Sequence, residues 1–111
     1  MSTDPFDSQQ WLDYAKHVRE ELIPMIENSA YTMAIAGDKE PDVKQAVELG
    51  FMVLLDKPII AVVVAGAKGP RRLLEIADSV VHLSYNDAEN SVLIMAGIEE
   101  AGRIHSAKQV E

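Results

Sequence analysis

The chain has 111 residues, 48% of them hydrophobic and none of them cysteine, and its 18 acidic and 10 basic side chains leave a formal charge of −8. This length predicts a single domain spanning 1–111 with an ordinary core. The lack of cysteine excludes disulfides, thiolate catalysis, zinc ribbons and iron–sulfur clusters, and points to the cytoplasm. The acidic balance argues against DNA, RNA and anionic membranes as partners. The longest apolar run, 58–67, is too short to span a bilayer, and the polar, acidic start is unlike a signal peptide.

The first predicted element is a helix. Asp7 or Ser8 can cap it and Phe6 can staple it. Trp11, Ala15, Val18 and Leu22 then recur at helical spacing, with Leu12 and Ile23 alongside. Pro24 removes one donor and should kink or end this helix near Leu22–Ile23, with Met25 and Ile26 adding a further turn. A short strand follows at 31–36 and turns at Gly37-Asp38. Pro41 can open a second helix over 41–55, whose expected buried stripe is Val43, Ala46, Val47, Gly50, Phe51 and Leu54. Lys57-Pro58 stops it.

Residues 59–65 form the clearest strand, rich in β-branched side chains and without a polar residue. A strand apolar on both faces belongs at the centre of a parallel sheet covered by helices. Gly66 to Gly69 make the next turn, and Pro70 starts a short helix through Ala77. A third strand is expected at 79–83. Ser84 and Asp87 resemble a capping box for a last helix running to about Ile104 and burying Val92, Met95, Ala96 and Ile98. Residues 1–6 and 106–111 are expected to fray.

The order α-β-α-β-α-β-α implies parallel pairing through right-handed crossovers. The predicted fold is therefore α/β, a small three-layer Rossmann- or flavodoxin-like domain. In such sheets ligands bind beyond the carboxyl ends of the strands. Those ends carry Gly37-Asp38-Lys39-Glu40, then Gly66-Ala67-Lys68-Gly69-Pro70-Arg71-Arg72, then Tyr85-Asn86-Asp87.

The second loop has the parts of an anion cradle: glycines, Lys68, Arg71 and a helix start. A tight turn with solvated arginines accounts for the same residues, and the Walker order is absent. Tyr85 is placed to stack on a base, or simply forms part of the rim. His17, His82 and His105 lack metal-ligand spacing, so no metal and no cofactor are expected, and none of the three is given a role.

The run Pro41-Asp42-Val43-Lys44-Gln45-Ala46-Val47-Glu48-Leu49-Gly50-Phe51, followed by Lys57-Pro58-Ile59-Ile60, resembles the core of the nucleoside 2-deoxyribosyltransferase superfamily. There an Asp near a helix start precedes Glu-Leu-Gly by six residues, and a Lys-Pro leads into the next strand. The resemblance covers about residues 30–84 and continues through Ile76-Ala77-Asp78-Ser79-Val80-Val81. It implies that Glu48 is a nucleophile towards the anomeric carbon of a nucleoside or nucleotide, with Asp42 handling the leaving base or the sugar. The loops at the strand ends, read from topology, place Gly37, Asp38, Gly66, Lys68, Gly69, Arg71 and Tyr85 around the ligand.

On the residues alone, Asp42 and Glu48 are equally accounted for as solvated carboxylates about 120° apart on a helix, an acid being favoured in a first turn by the helix dipole. A non-catalytic, dimeric binding module of the same fold is the alternative function. The family's glycine-containing first strand has no counterpart here, which leaves the 31–36 edge open. An open edge is ordinarily covered or paired, so the N-terminal helix should cover it or two copies should meet there as a homodimer. Gly50 raises one more expectation. A glycine inside a helix costs ~1 kcal/mol relative to alanine, so another backbone should come close to it.

Overall fold

The computed structural model describes residues 8–109. The expected contributions of Phe6 and Asp7 lie outside that range, as do residues 1–6 and 110–111 of the expected frayed ends. The elements are α1 (Ser8–His17), a π-helical turn (Val18–Leu22), α2 (Ile23–Glu27), β1 (Thr32–Ala36), α3 (Val43–Leu54), β2 (Ile59–Val63), α4 (Arg71–Ile76), β3 (Ser79–His82) and α5 (Asp87–Gln109).

Pro24 widens the first helix instead of ending it. Its ring carries no N–H and would collide with the carbonyl four residues back. The chain responds with one wide turn, in which the Ile23 amide bonds to the Val18 carbonyl. The helix then continues to Glu27. Val18, Leu22 and Ile26 form its buried stripe, packed by Tyr14, Ile23, Phe51, Met52 and Leu55. Trp11 and Leu12 stay exposed. This helix therefore rests on α3, and Ile35 on the β1 edge remains 70% exposed.

The three strands form a parallel sheet in the order β1-β2-β3. Met33 lies opposite Ile60, Ile35 opposite Val62, and Val62 opposite Val81. Every residue of β2 is buried, as its double-sided apolar pattern requires of a central strand. Ile60, Val62 and Val63 are among the largest fully buried side chains, each contributing about 1.5–3 kcal/mol by leaving water.

On one face Ile60, Val62 and Val81 pack against α5 through Ala101, Ile94 and Ile98. On the other, Val63 meets the Gly69 turn and Leu74 of α4. Gly69 adopts φ +90°, which favours glycine, and a Cβ there would lie 2.9 Å from Val63 Cγ2.

Several expectations are corrected. The second helix begins at Val43, not Pro41, because Asp42 caps it: the Asp42 carboxylate accepts the Gln45 amide and the Gln45 side chain accepts the Asp42 amide. Its expected buried stripe is largely outward, with Val43, Ala46, Gly50 and Leu54 exposed. At its other end Asp56 takes the left-handed conformation (φ 57°). The Asp56 amide bonds to the Val53 carbonyl and the Lys57 amide to the Met52 carbonyl, a Schellman closure.

α5 is capped by Asn86, whose side chain accepts the Ala88 amide, while Asn90 ties to Ser84 in both directions. Val92, Met95 and Ala96 are exposed, while Ile98 faces the sheet as expected, joined by Ile94, Gly97 and Ala101. α5 also runs past Ile104 to Gln109. His105 and Lys108 give that last stretch something to hold. His105 Nε2 lies 2.9 Å from the Asp56 carbonyl oxygen, its Nδ1 lies 3.7 Å from Asp78, and Lys108 Nζ lies 2.8 Å from Asp78. Asp78, 5% exposed, also accepts the Ile59 amide. His105 thus fastens the helix to the turn before β2.

Candidate functional site

A cleft opens beside β1, lined by Met33 to Ala36 of the strand as well as by the loop that leaves its carboxyl end. It encloses about 330 Å³ between β1, the following loop and α3. β1 runs along one side. Leu49, Met52, Pro70 and Leu73 supply apolar walls, and Lys39, Glu40, Gln45 and Glu48 supply polar groups. Gln45, Glu48, Leu49 and Met52 are spaced i, i+3, i+4, i+7, so a single face of α3 presents all four.

Glu48 is half-buried. Its Oε1 faces the Tyr14 hydroxyl at 3.5 Å, and the same hydroxyl lies 3.2 Å from the Lys44 carbonyl oxygen, to which it donates. Burial, and next the Glu48 carboxylate, push the Tyr14 phenol above its ordinary value, with Asp42 adding to the same direction. Tyr14 is in turn held by the tilted Trp11 ring, 6.1 Å away between centroids, and by Lys44 Nζ, 5.5 Å from its own ring centre. A protonated phenol therefore sits beside an acidic side chain that borders a partly apolar cleft.

Of the residues expected at the site, Gly37 and Glu48 line this cleft. Asp42 does not, its carboxylate being engaged as the α3 cap. The Gly66 loop does present amides in a cradle, but Asp38 and Glu40 fill it. Asp38 Oδ1 accepts the Lys68 and Gly69 amides at 2.6 and 3.2 Å, and Glu40 Oε1 accepts the Arg71 amide at 3.0 Å. The two loops are clasped together by the chain's own carboxylates. The Arg71 side chain pairs with Glu75 on its own helix. Tyr85 is 85% exposed and its hydroxyl lies over Gly66, outside the cleft lining.

Tyr14 was not anticipated from the sequence. Its contact to α3 spans more than thirty residues, and no local pattern announces it. Gln45 was missed as well, although its i, i+3 spacing to Glu48 could have found it. Among the described residues, no group of three or more His, Asp or Glu side chains is arranged to hold a metal ion. No described helix is long and apolar enough to cross a membrane. Compared with models of known families, with characterised proteins and with solved structures, the chain matches none.

Proposed function

We propose that the cleft binds a nucleoside and that Glu48 attacks its anomeric carbon, making the protein an N-glycosidase or deoxyribosyl transferase. The observation that carries this reading is half-buried Glu48 on the wall of a cleft that runs along β1 into the loop after it, with a phenol beside the carboxylate.

The chemistry is that of a retaining glycosyl transfer. A Glu48 oxygen bonds to C1′ as the C1′–N bond breaks, and its electron pair leaves with the base, which takes up a proton. Water or a second base then attacks C1′, gives up a proton and frees the carboxylate. Tyr14, held protonated, stands 3.5 Å from Glu48 Oε1 and leaves the other carboxylate oxygen to the reaction. The loop amides after β2 already hold Asp38 and Glu40, which favours an uncharged nucleoside over a 5′-phosphate.

One observation favours a second reading, a binding module without chemistry. Asp42, the partner that the resemblance gives Glu48, is fixed as a helix cap away from the cleft. Incubation with a panel of nucleosides and deoxynucleosides, followed by chromatography of free base, separates the two. The expected result is base release that disappears in Glu48→Gln while circular dichroism stays unchanged. Release that persists in Glu48→Gln overturns the nucleophile. Saturable nucleoside binding with no release from any substrate selects the binding module.

A further inference from the structure

The acids of the loop between β1 and α3 are committed within the chain. Asp38 and Glu40 accept the amides after β2, and Asp42 accepts the Gln45 amide. The donors beside them are not. Gln45 Oε1 accepts the Asp42 main-chain N–H at 3.0 Å. A main-chain N–H can only donate, so this bond fixes which end of the Gln45 side chain is oxygen. The Gln45 Nε2 has no partner among the described residues, and neither has Lys39 Nζ. Both side chains line the cleft together with Glu48. The cleft thus holds an acceptor, Glu48, one turn of α3 from a free donor, Gln45, with about 5–6 Å between their Cβ atoms.

This separation gives the ligand a direction. With the anomeric carbon at Glu48, the base lies towards Gln45 and Lys39. We infer that these two residues hold the leaving base by a ring carbonyl next to its glycosidic nitrogen, so that the substrate is a pyrimidine nucleoside. The inference rests on the glycosyl transfer proposed for Glu48 and names its substrate class.

The chemistry requires donors at this place. Breaking the C1′–N bond sends its electron pair onto the base nitrogen, and conjugation spreads it to the adjacent carbonyl oxygen. An amide N–H and an ammonium against that oxygen bind it more strongly as its charge grows. The base anion then takes its proton from water. A purine carries no carbonyl on the carbons next to its glycosidic nitrogen and gains less from the same pair of donors. A carboxylate would repel the growing charge, so Asp42 is unsuited to this task as well as bound elsewhere. Its main-chain N–H contributes instead, by holding the Gln45 oxygen and leaving the nitrogen free.

The test is base release from a series of 2′-deoxyuridines whose 5-substituent makes the base a progressively better leaving group, from the methyl to the fluoro compound. Gln45→Glu keeps the oxygen that accepts the Asp42 amide, and an acid suits a first helical turn, but both N–H donors are lost. Its kcat is expected to fall on the order of 10²-fold with the methyl compound and much less with the fluoro compound, with KM changing less than kcat. Lys39→Met, in an exposed loop, is expected to steepen the same dependence. Purine deoxynucleosides are expected to be the poorer substrates of the unmodified chain. A loss in Gln45→Glu that is equal across the series, or no loss, overturns the inference, and so does purine release as fast as pyrimidine release. In those cases the glycosyl-transfer reading survives, provided that Glu48→Gln still abolishes release. An unmodified chain that releases no base overturns that reading and this inference together. Should Gln45→Glu not fold, the Lys39→Met series decides.

Discussion

Helices α3 and α5 both carry apolar residues on more than one face, and they meet the rest of the chain in opposite ways. α5 lies so close to the sheet that a Cβ on Gly97 would overlap Val81, and the Gly97 carbonyl oxygen accepts the buried Ser79 hydroxyl at 2.7 Å. Ala101 beside it is fully buried. α3 packs against the N-terminal helix through Phe51 and Met52, faces β1 across a cleft and buries no residue. One helix completes the core. The other borders a cleft and leaves its outer face uncovered. A glycine in each marks the contrast: Gly97 is required by contact within the chain, and Gly50 by none.

The strongest challenge to this contrast is on the α5 side. Ile60, fully buried beneath that helix, should cost about 2–5 kcal/mol when cut to alanine, read as a shift in the denaturant midpoint. An Ile60→Ala variant of unchanged stability would mean that α5 is not docked as described.

Next come the two glycines, compared directly. Gly97→Ala should destabilise by about 1–3 kcal/mol, because the methyl must push Val81 aside. Gly50→Ala should stabilise the chain by ~1 kcal/mol, because the added methyl meets nothing. Equal effects at the two positions would remove the distinction between the helices.

A smaller effect is expected at the start of α3. Asp42→Ala removes the cap that accepts the Gln45 amide and should cost about 1 kcal/mol in thermal unfolding. Base release should fall no further than loss of folded protein explains, since Asp42 is away from the cleft. A specific loss of turnover would return Asp42 to the chemistry.

The smallest effect concerns pH. The Tyr14 phenol is raised by burial and by Glu48, so its contribution to stability is fully present below its ordinary value of about 10. That contribution is lost as pH rises through the higher folded value. Ultraviolet titration should show one of the three tyrosines ionising later than the others, and Tyr14→Phe should abolish that late step.

The sequence by itself determined the parallel order of elements and the central place of β2. These follow from the continuous β-branched run at Ile59–Val63 and from helices between strands, features that local pattern records. Glu48 was legible on its helix, and Gln45 could have been read beside it. Only the tertiary structure decided which side of each apolar helix turns inward, since α3 and α5 carry apolar residues on more than one face and periodicity then fails to choose. It alone brought Tyr14 to Glu48 and His105 to Asp56 and Asp78, because contacts between distant segments leave no trace in spacing. It also filled the loop amides after β2 with Asp38 and Glu40. An exposed amide attracts any anion, and the nearest one belonged to the chain itself.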